Sequence, residues 1–129
     1  MKYHIEKRTS LIHKQQTINV FLYIVDNIDD IDMRIEFYFD FGHSKYKLVL
    51  RAFHYPYIDI NVYKFVVKKF DIVDMLECKA DDDINSMIHN AWNRAYNCPP
   101  QPDTIAMFTH VVDIICDYAK FMYVQFILV

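Results

Sequence analysis

Residues 82–97 read DDINSMIHNAWNRAYN and contain the clearest amphipathic period of the 129-residue chain. The apolar residues recur at the i, i+3, i+4, i+7 spacing of a helix that buries one stripe, and they are Ile84, Met87, Ile88, Ala91 and Ala95. A carboxylate among residues 81–83 is expected to cap the first turn, where N–H groups lack partners. Pro99 and Pro100 end the period because proline has no N–H group. The pattern therefore predicts a helix over residues 82–97.

Alternating patterns before this helix predict an antiparallel sheet. Residues 33–41 read MRIEFYFDF, so one face of this strand is apolar and the other, with Arg34, Glu36 and Asp40, is expected to face solvent. The chain's single glycine, Gly42, then marks a turn, and residues 46–53 alternate again. These two segments form a predicted hairpin. Residues 17–25 predict a further strand, and residues 2–8 could form a short first one.

Residues 58–79 are ambiguous, because their β-branched and aromatic content favours a strand while their apolar spacing also fits a helix. We interpret them as strand to about Val67 and helix from about Asp71. Near the C-terminus, Asp103 is positioned to cap a long helix over residues 104–124. The predicted fold is a single α+β domain over residues 1–129. Three or four antiparallel strands, at about 2–67, are covered on one face by helices near 82–97 and 104–124.

The composition narrows the possible functions. The formal charge of -3 excludes a strongly basic nucleic-acid binder in the simple electrostatic sense. A chain with one glycine cannot form the glycine-rich phosphate loops of Walker or Rossmann nucleotide sites. Three cysteines without CxxC spacing indicate free thiols in a reducing compartment. The polar N-terminus does not resemble a signal peptide, and no apolar run is long enough to span a bilayer, so we expect a cytoplasmic protein.

An acidic run precedes and enters the helix at 82–97. Its carboxylates belong to Asp71, Asp74, Glu77, Asp81, Asp82 and Asp83, with Lys79 as the one basic residue among them. If they lie along one surface, they could imitate the phosphates of a duplex and compete for the basic groove of a nucleic-acid-binding protein. A solvated acidic face, with residues 81–83 acting as helix caps, is the alternative interpretation.

Trp92, Arg94 and Tyr96 are the second candidate contact set. Trp92 and Tyr96 are four residues apart and form a natural packing pair on a helix. Tryptophan, tyrosine and arginine are also the residue types that anchor protein interfaces. The sequence leaves packing and partner recognition open for these three residues.

Residues 91–96, AWNRAY, follow a meander of strands and precede another helix. This segment resembles the helix of a family of small phage anti-CRISPR proteins, with Trp92, Asn93 and Tyr96 agreeing closely. The resemblance covers six residues. It implies a viral inhibitor that mimics DNA and blocks the DNA-contacting groove of a CRISPR nuclease, and hence a protein partner in the host cytoplasm.

Metal and catalytic sites have weaker patterns. His110, Asp113 and Asp117 share a helix face and could offer metal ligands, although the solvated side of an amphipathic helix is the simpler interpretation. The loop with Asp26, Asp29, Asp30 and Asp32 lacks the glycine and glutamate of an EF-hand, because Ile31 and Phe37 occupy those positions. Neither Cys98 nor Cys116 has a suitably placed base or cation in the sequence.

The predicted function is therefore a non-enzymatic inhibitor that binds a protein partner, of the phage anti-defence or toxin-immunity type. We expect no catalytic residue, cofactor, direct nucleic-acid contact or membrane contact. One alternative is a small metal-dependent enzyme that uses His110, Asp113 and a distant histidine. The other is a structural homo-oligomer, for instance a homodimer, sealed by the apolar segment 126–129.

Overall fold

A computed structural model describes residues 4–13, 16–26, 31–41, 43–54, 56–96, 106, 108–110, 112–113 and 115–117. The strands are β1 (His4–His13), β2 (Gln16–Asp26), β3 (Ile31–Phe41), β4 (Ser44–His54), β5 (Tyr57–Val66) and β6 (Lys69–Lys79). Helix α1 (Ile84–Tyr96) follows. The described residues from 106 to 117 are also helical. The predicted α+β class is confirmed, with six strands in place of three or four.

The six strands form one antiparallel meander in the order β1-β2-β3-β4-β5-β6. Each strand therefore pairs with the next strand in sequence. The hairpin predicted from residues 33–53 is β3 with β4, in a register that places Phe37 opposite Leu48. The strand predicted at 17–25 is β2, and the helix predicted at 82–97 is α1. Alternating side chains and tight turns account for these agreements.

The helix predicted from about Asp71 is wrong, because Lys69–Lys79 is strand β6, paired with β5. A β-bulge explains the misleading pattern. Val62 pairs with Asp74 and Tyr63 pairs with Ile72, so Val73 is an extra residue in β6. An extra residue shifts the two-residue alternation by one position. The spacing of apolar residues on either side of the bulge then resembles a helical period.

The hydrophobic core lies on one face of the sheet, beneath α1 and the helical residues near the C-terminus. Phe37 and Phe39 of β3 are buried there, and the Phe108 ring lies 5.1 Å from Phe37 and 5.3 Å from Phe39. Trp92 of α1 is fully buried, with its ring 5.3 Å from Phe39 and 5.0 Å from Tyr46. Aromatic contacts of this kind add specific geometry to apolar burial.

The opposite face of the sheet is not the open solvent face that the alternation predicted. Glu36 is only 6% exposed and Val49 only 4%. The Glu36 carboxylate lies 2.8 Å from Arg34 Nε and accepts a hydrogen bond from the Tyr38 hydroxyl. Burial and this hydrogen bond raise the pKa of Tyr38. This face therefore has a covered, polar centre.

Candidate functional site

A cleft of about 430 Å³ lies between the start of α1 and the helical residues near the C-terminus. Its acidic residues are Asp82, Asp83, Asp113 and Asp117, and we call this surface the acidic cleft. All four side chains are exposed to solvent. Four carboxylates on one concave surface attract cationic groups, and cleft walls concentrate that field.

The turn before α1 holds two of these carboxylates in place. Asp82 Oδ2 accepts a hydrogen bond of 2.7 Å from the backbone N–H of Lys79. Asp83 precedes the first helical residue, and it accepts hydrogen bonds from Ser86 N at 3.4 Å and Ser86 Oγ at 2.8 Å. This confirms the predicted carboxylate cap and assigns it to Asp83. Both acids are therefore positioned before any partner binds.

Asp113 and Asp117 supply the other wall of the acidic cleft. They are four residues apart on helical backbone, so they lie one above the other on the same face. His110, which the sequence grouped with them as a possible metal ligand, is exposed. Within the described ranges, no group of three or more His, Cys, Asp and Glu side chains is placed to hold a metal ion.

Two cysteines lie beneath this region, and within the part of the chain that the structure describes neither forms a disulfide bond. Cys78 at the end of β6 and Cys116, which lines the acidic cleft, are buried. Burial raises the pKa of the Cys78 thiol to about 12, and the negative charge of Asp82 adds to the shift. The thiolate form of Cys78 is thus disfavoured near neutral pH, which makes this residue a poor nucleophile. Cys98 lies outside the described residues.

The acidic residues predicted as one surface are separated in the structure. Asp71 lies near the start of β6, opposite Lys64 and 3.6 Å from Lys69 Nζ. The eight residue steps from Asp71 to Lys79 span about 26 Å of extended strand, so Asp71 is far from the acidic cleft. Glu77 is exposed on β6, opposite Asp59.

Residues 81–83 stay together at the turn before α1, where Asp81 is exposed beside the two cleft carboxylates. Asp74 is instead neutralised by Arg94 of α1, which forms two hydrogen bonds of 2.9 Å to its carboxylate. Of the predicted acidic set, Asp82 and Asp83 therefore line the acidic cleft, and Glu77 lines a separate concavity of about 330 Å³ beside Asp59.

The aromatic members of the second predicted set belong mainly to the core. Trp92 has no exposed surface, which leaves packing as its role in the folded chain. Tyr96 is partly buried and stacks on Trp92, with ring centroids 5.5 Å apart. Arg94 is exposed and ion-paired with Asp74. The three residues therefore do not form a common exposed surface.

Sequence reasoning did not predict that Asp113 and Asp117 line the same cleft as Asp82 and Asp83. The polar stripe of the C-terminal helix is evident in the sequence, where His110, Asp113 and Asp117 fit a metal-binding face. Only tertiary packing brings that stripe next to the start of α1. Acidic residues on both helices are the only sequence signal for this cleft, and the sequence alone does not give the relative position of the two helices.

No family model matches this sequence, and no curated protein or solved structure matches it. The protein is therefore described by its own fold and site, as an α+β domain with a six-stranded antiparallel meander and an acidic cleft. Among the residues described, no helix is long and apolar enough to cross a membrane.

Proposed function

We propose that this chain is a non-enzymatic binding protein whose acidic cleft binds a basic surface of a protein partner. The observation that carries this proposal is the position of Asp82, Asp83, Asp113 and Asp117 on one cleft. Carboxylates arranged in this way increase the rate of encounter with a basic partner and help to select it. The fixed geometry of Asp82 and Asp83 supports the proposal, because less side-chain freedom is lost on binding.

The partner class that fits this surface is a basic, nucleic-acid-binding protein such as a nuclease. The cationic side chains of such a protein, which otherwise bind backbone phosphates, can pair with the carboxylates of the acidic cleft. The resemblance of residues 91–96 to an anti-CRISPR helix supports a viral anti-defence inhibitor acting in the host cytoplasm. A toxin-immunity protein would use the same chemistry against a toxic nuclease.

Two alternatives involve other parts of the chain. A metal-dependent enzyme would need His110 and Asp113 to act with another ligand, whereas Asp113 lines the acidic cleft with three other carboxylates. That arrangement fits a cationic surface of a partner better than a single ion. A homo-oligomer through residues 126–129 depends on a segment outside the described residues. We therefore favour the protein-binding function.

The test compares two variants with the same change in net charge. Asp113→Asn with Asp117→Asn removes two cleft carboxylates without removing the Asp83 cap. Asp71→Asn with Glu77→Gln removes two carboxylates from β6. Each protein is immobilised, the native host lysate is passed over it, and bound proteins are identified by mass spectrometry. We expect a basic protein on the wild type and on the β6 variant, and its loss from the cleft variant.

The captured protein is then purified and bound to duplex DNA or RNA, and displacement is followed by fluorescence anisotropy. The wild type should displace the nucleic acid, and the cleft variant should need at least about tenfold more protein because two charge pairs are missing. Equal binding by the cleft variant would overturn the acidic cleft as the interface. A partner that binds without releasing nucleic acid would overturn the competitive mechanism.

A further inference from the structure

The sheet face opposite the helices encloses a second concavity, which the proposed function does not use. The Phe70 ring of β6 lies 5.7 Å from the Tyr38 ring of β3, although β4 and β5 lie between these strands. Three strand spacings in a flat sheet would separate the backbones by about 14 Å. The sheet is therefore strongly curled, and the start of β6 bends over β3.

This curl produces a cavity of about 520 Å³, which we call the aromatic cavity. Its aromatic lining from the curled face consists of Phe21, Tyr23, Tyr38, Phe65 and Phe70. The rings meet edge to face, at 5.5 Å between Phe21 and Tyr38 and at 5.2 Å between Phe65 and Phe70. The volume is within the range of small-molecule sites, and such rings are suited to pack against a planar ligand.

A positive charge, that of Lys47, lies behind the aromatic wall of this cavity, although Lys47 is not itself a lining residue. Lys47 Nζ is 5.1 Å from the Phe70 ring, 5.9 Å from the Tyr38 ring and 4.5 Å from the Tyr63 ring. No carboxylate is paired with Lys47 in the part of the chain that the structure describes. The neighbouring carboxylate of Glu36 is engaged by Arg34 and Tyr38. The rings stabilise the Lys47 ammonium group but leave its charge uncompensated.

Polar groups at the rim limit what can bind. Asn19 and Thr17 line the cavity, and the Asn19 side-chain oxygen accepts a hydrogen bond from Ser10 Oγ at 3.1 Å, which leaves its NH₂ group as a donor. Asp40 and Lys45 face each other across β3 and β4 at the same rim. The negative charge of Asp40 repels a second anionic group at the rim, so a ligand with one negative charge fits better than a polyphosphate.

We propose that the aromatic cavity binds a small planar aromatic molecule that carries one anionic group. The ring of the ligand packs among Phe21, Tyr38 and Phe70, and its anion is compensated by Lys47. This site is on the sheet face opposite the helices, so it is separate from the acidic cleft and its ligand is not the proposed protein partner.

The experiment uses two matched probes, naphthalene-2-sulfonate and neutral 2-naphthol, with binding measured by titration calorimetry at pH 7. The wild type should bind one naphthalene-2-sulfonate per chain, about tenfold more tightly than 2-naphthol, because one charge interaction is added. Lys47→Met should remove that preference while 2-naphthol still binds. Phe70→Ala should weaken both probes, and so should Phe65→Ala, which removes a side chain that is already 38% exposed.

Two controls separate this site from other surfaces. Met75→Ala removes a side chain that is 67% exposed on β6 outside the cavity, and it should leave both affinities unchanged. The cleft variant with Asp113→Asn and Asp117→Asn should also bind both probes normally. Circular dichroism confirms that each variant is folded. The absence of saturable binding up to millimolar probe, or an unchanged sulfonate preference in Lys47→Met, would overturn the proposal.

Discussion

Two hydrogen bonds of 2.9 Å join the guanidinium group of Arg94, near the end of α1, to the carboxylate of Asp74 on β6. The two partners differ in exposure, since the side chain of Arg94 is 50% exposed and that of Asp74 only 13%. The interaction raises the pKa of Arg94, chiefly through the hydrogen bond to Asp74. It attaches the last turn of α1 to edge strand β6, at the residue directly after the bulge at Val73.

This difference in exposure predicts unequal effects of removing each partner. Arg94→Ala leaves a mostly buried carboxylate without its donor and should lower the free energy of unfolding by about 1–2 kcal/mol. Asp74→Asn leaves a guanidinium group that water can solvate and should cost about 0.5 kcal/mol, as for exposed ion pairs. Urea denaturation measures both values. Arg94→Lys, which keeps the charge but loses the two-pronged geometry, should fall between them. A larger loss from Asp74→Asn would contradict this account.

The core beneath the helices gives a second prediction. Phe37 has no exposed surface and packs against Phe108. Phe37→Ala should lower the free energy of unfolding by about 3–5 kcal/mol, because a cavity remains where the ring was. Phe65→Ala, at the exposed end of β5, is the matched control and should cost less than about 1 kcal/mol. Similar losses from the two variants would show that Phe37 is not central to the core.

The extent to which the sequence predicted the fold depends on how regular each pattern is. Strand β3 and helix α1 have uninterrupted periods of two and 3.6 residues, and both were predicted within two residues of their ends. Strand β6 was missed because Val73 forms a bulge that breaks its alternation. The acidic cleft was only half predicted, because the placement of Asp83 and Asp117 on one cleft depends on how α1 packs beside the C-terminal helical residues.

The turn between β5 and β6 supplies a third prediction. Val67 has φ of 60°, and Lys68 N donates a hydrogen bond of 2.7 Å to Val66 O, which defines a γ-turn centred on Val67. A β-branched residue is strained at positive φ, and this one is 85% exposed, so packing does not compensate.

Val67→Gly should therefore raise the free energy of unfolding by about 1 kcal/mol, because glycine adopts positive φ without a steric penalty. Val66→Gly places glycine in the adjoining strand and should instead lower stability by about 0.5–1 kcal/mol. Thermal unfolding of the two variants beside the wild type measures both effects. Destabilisation by Val67→Gly would mean that the valine side chain has a stabilising contact in solution.

The buried thiol at the end of β6 gives the last prediction, which concerns pH. The pKa of Cys78 is raised to about 12, above its ordinary value near 9, so the folded state holds the thiol neutral while the unfolded state can ionise. This contribution to stability is constant below pH 9 and is lost as the pH rises from 9 towards 12.

The variant Cys78→Ala lacks this contribution at every pH. The stability gap between wild type and Cys78→Ala, measured by urea denaturation, should therefore narrow by about 1 kcal/mol per pH unit above pH 9. A gap that stays constant from pH 8 to about pH 10.5 would contradict a thiol held neutral by burial.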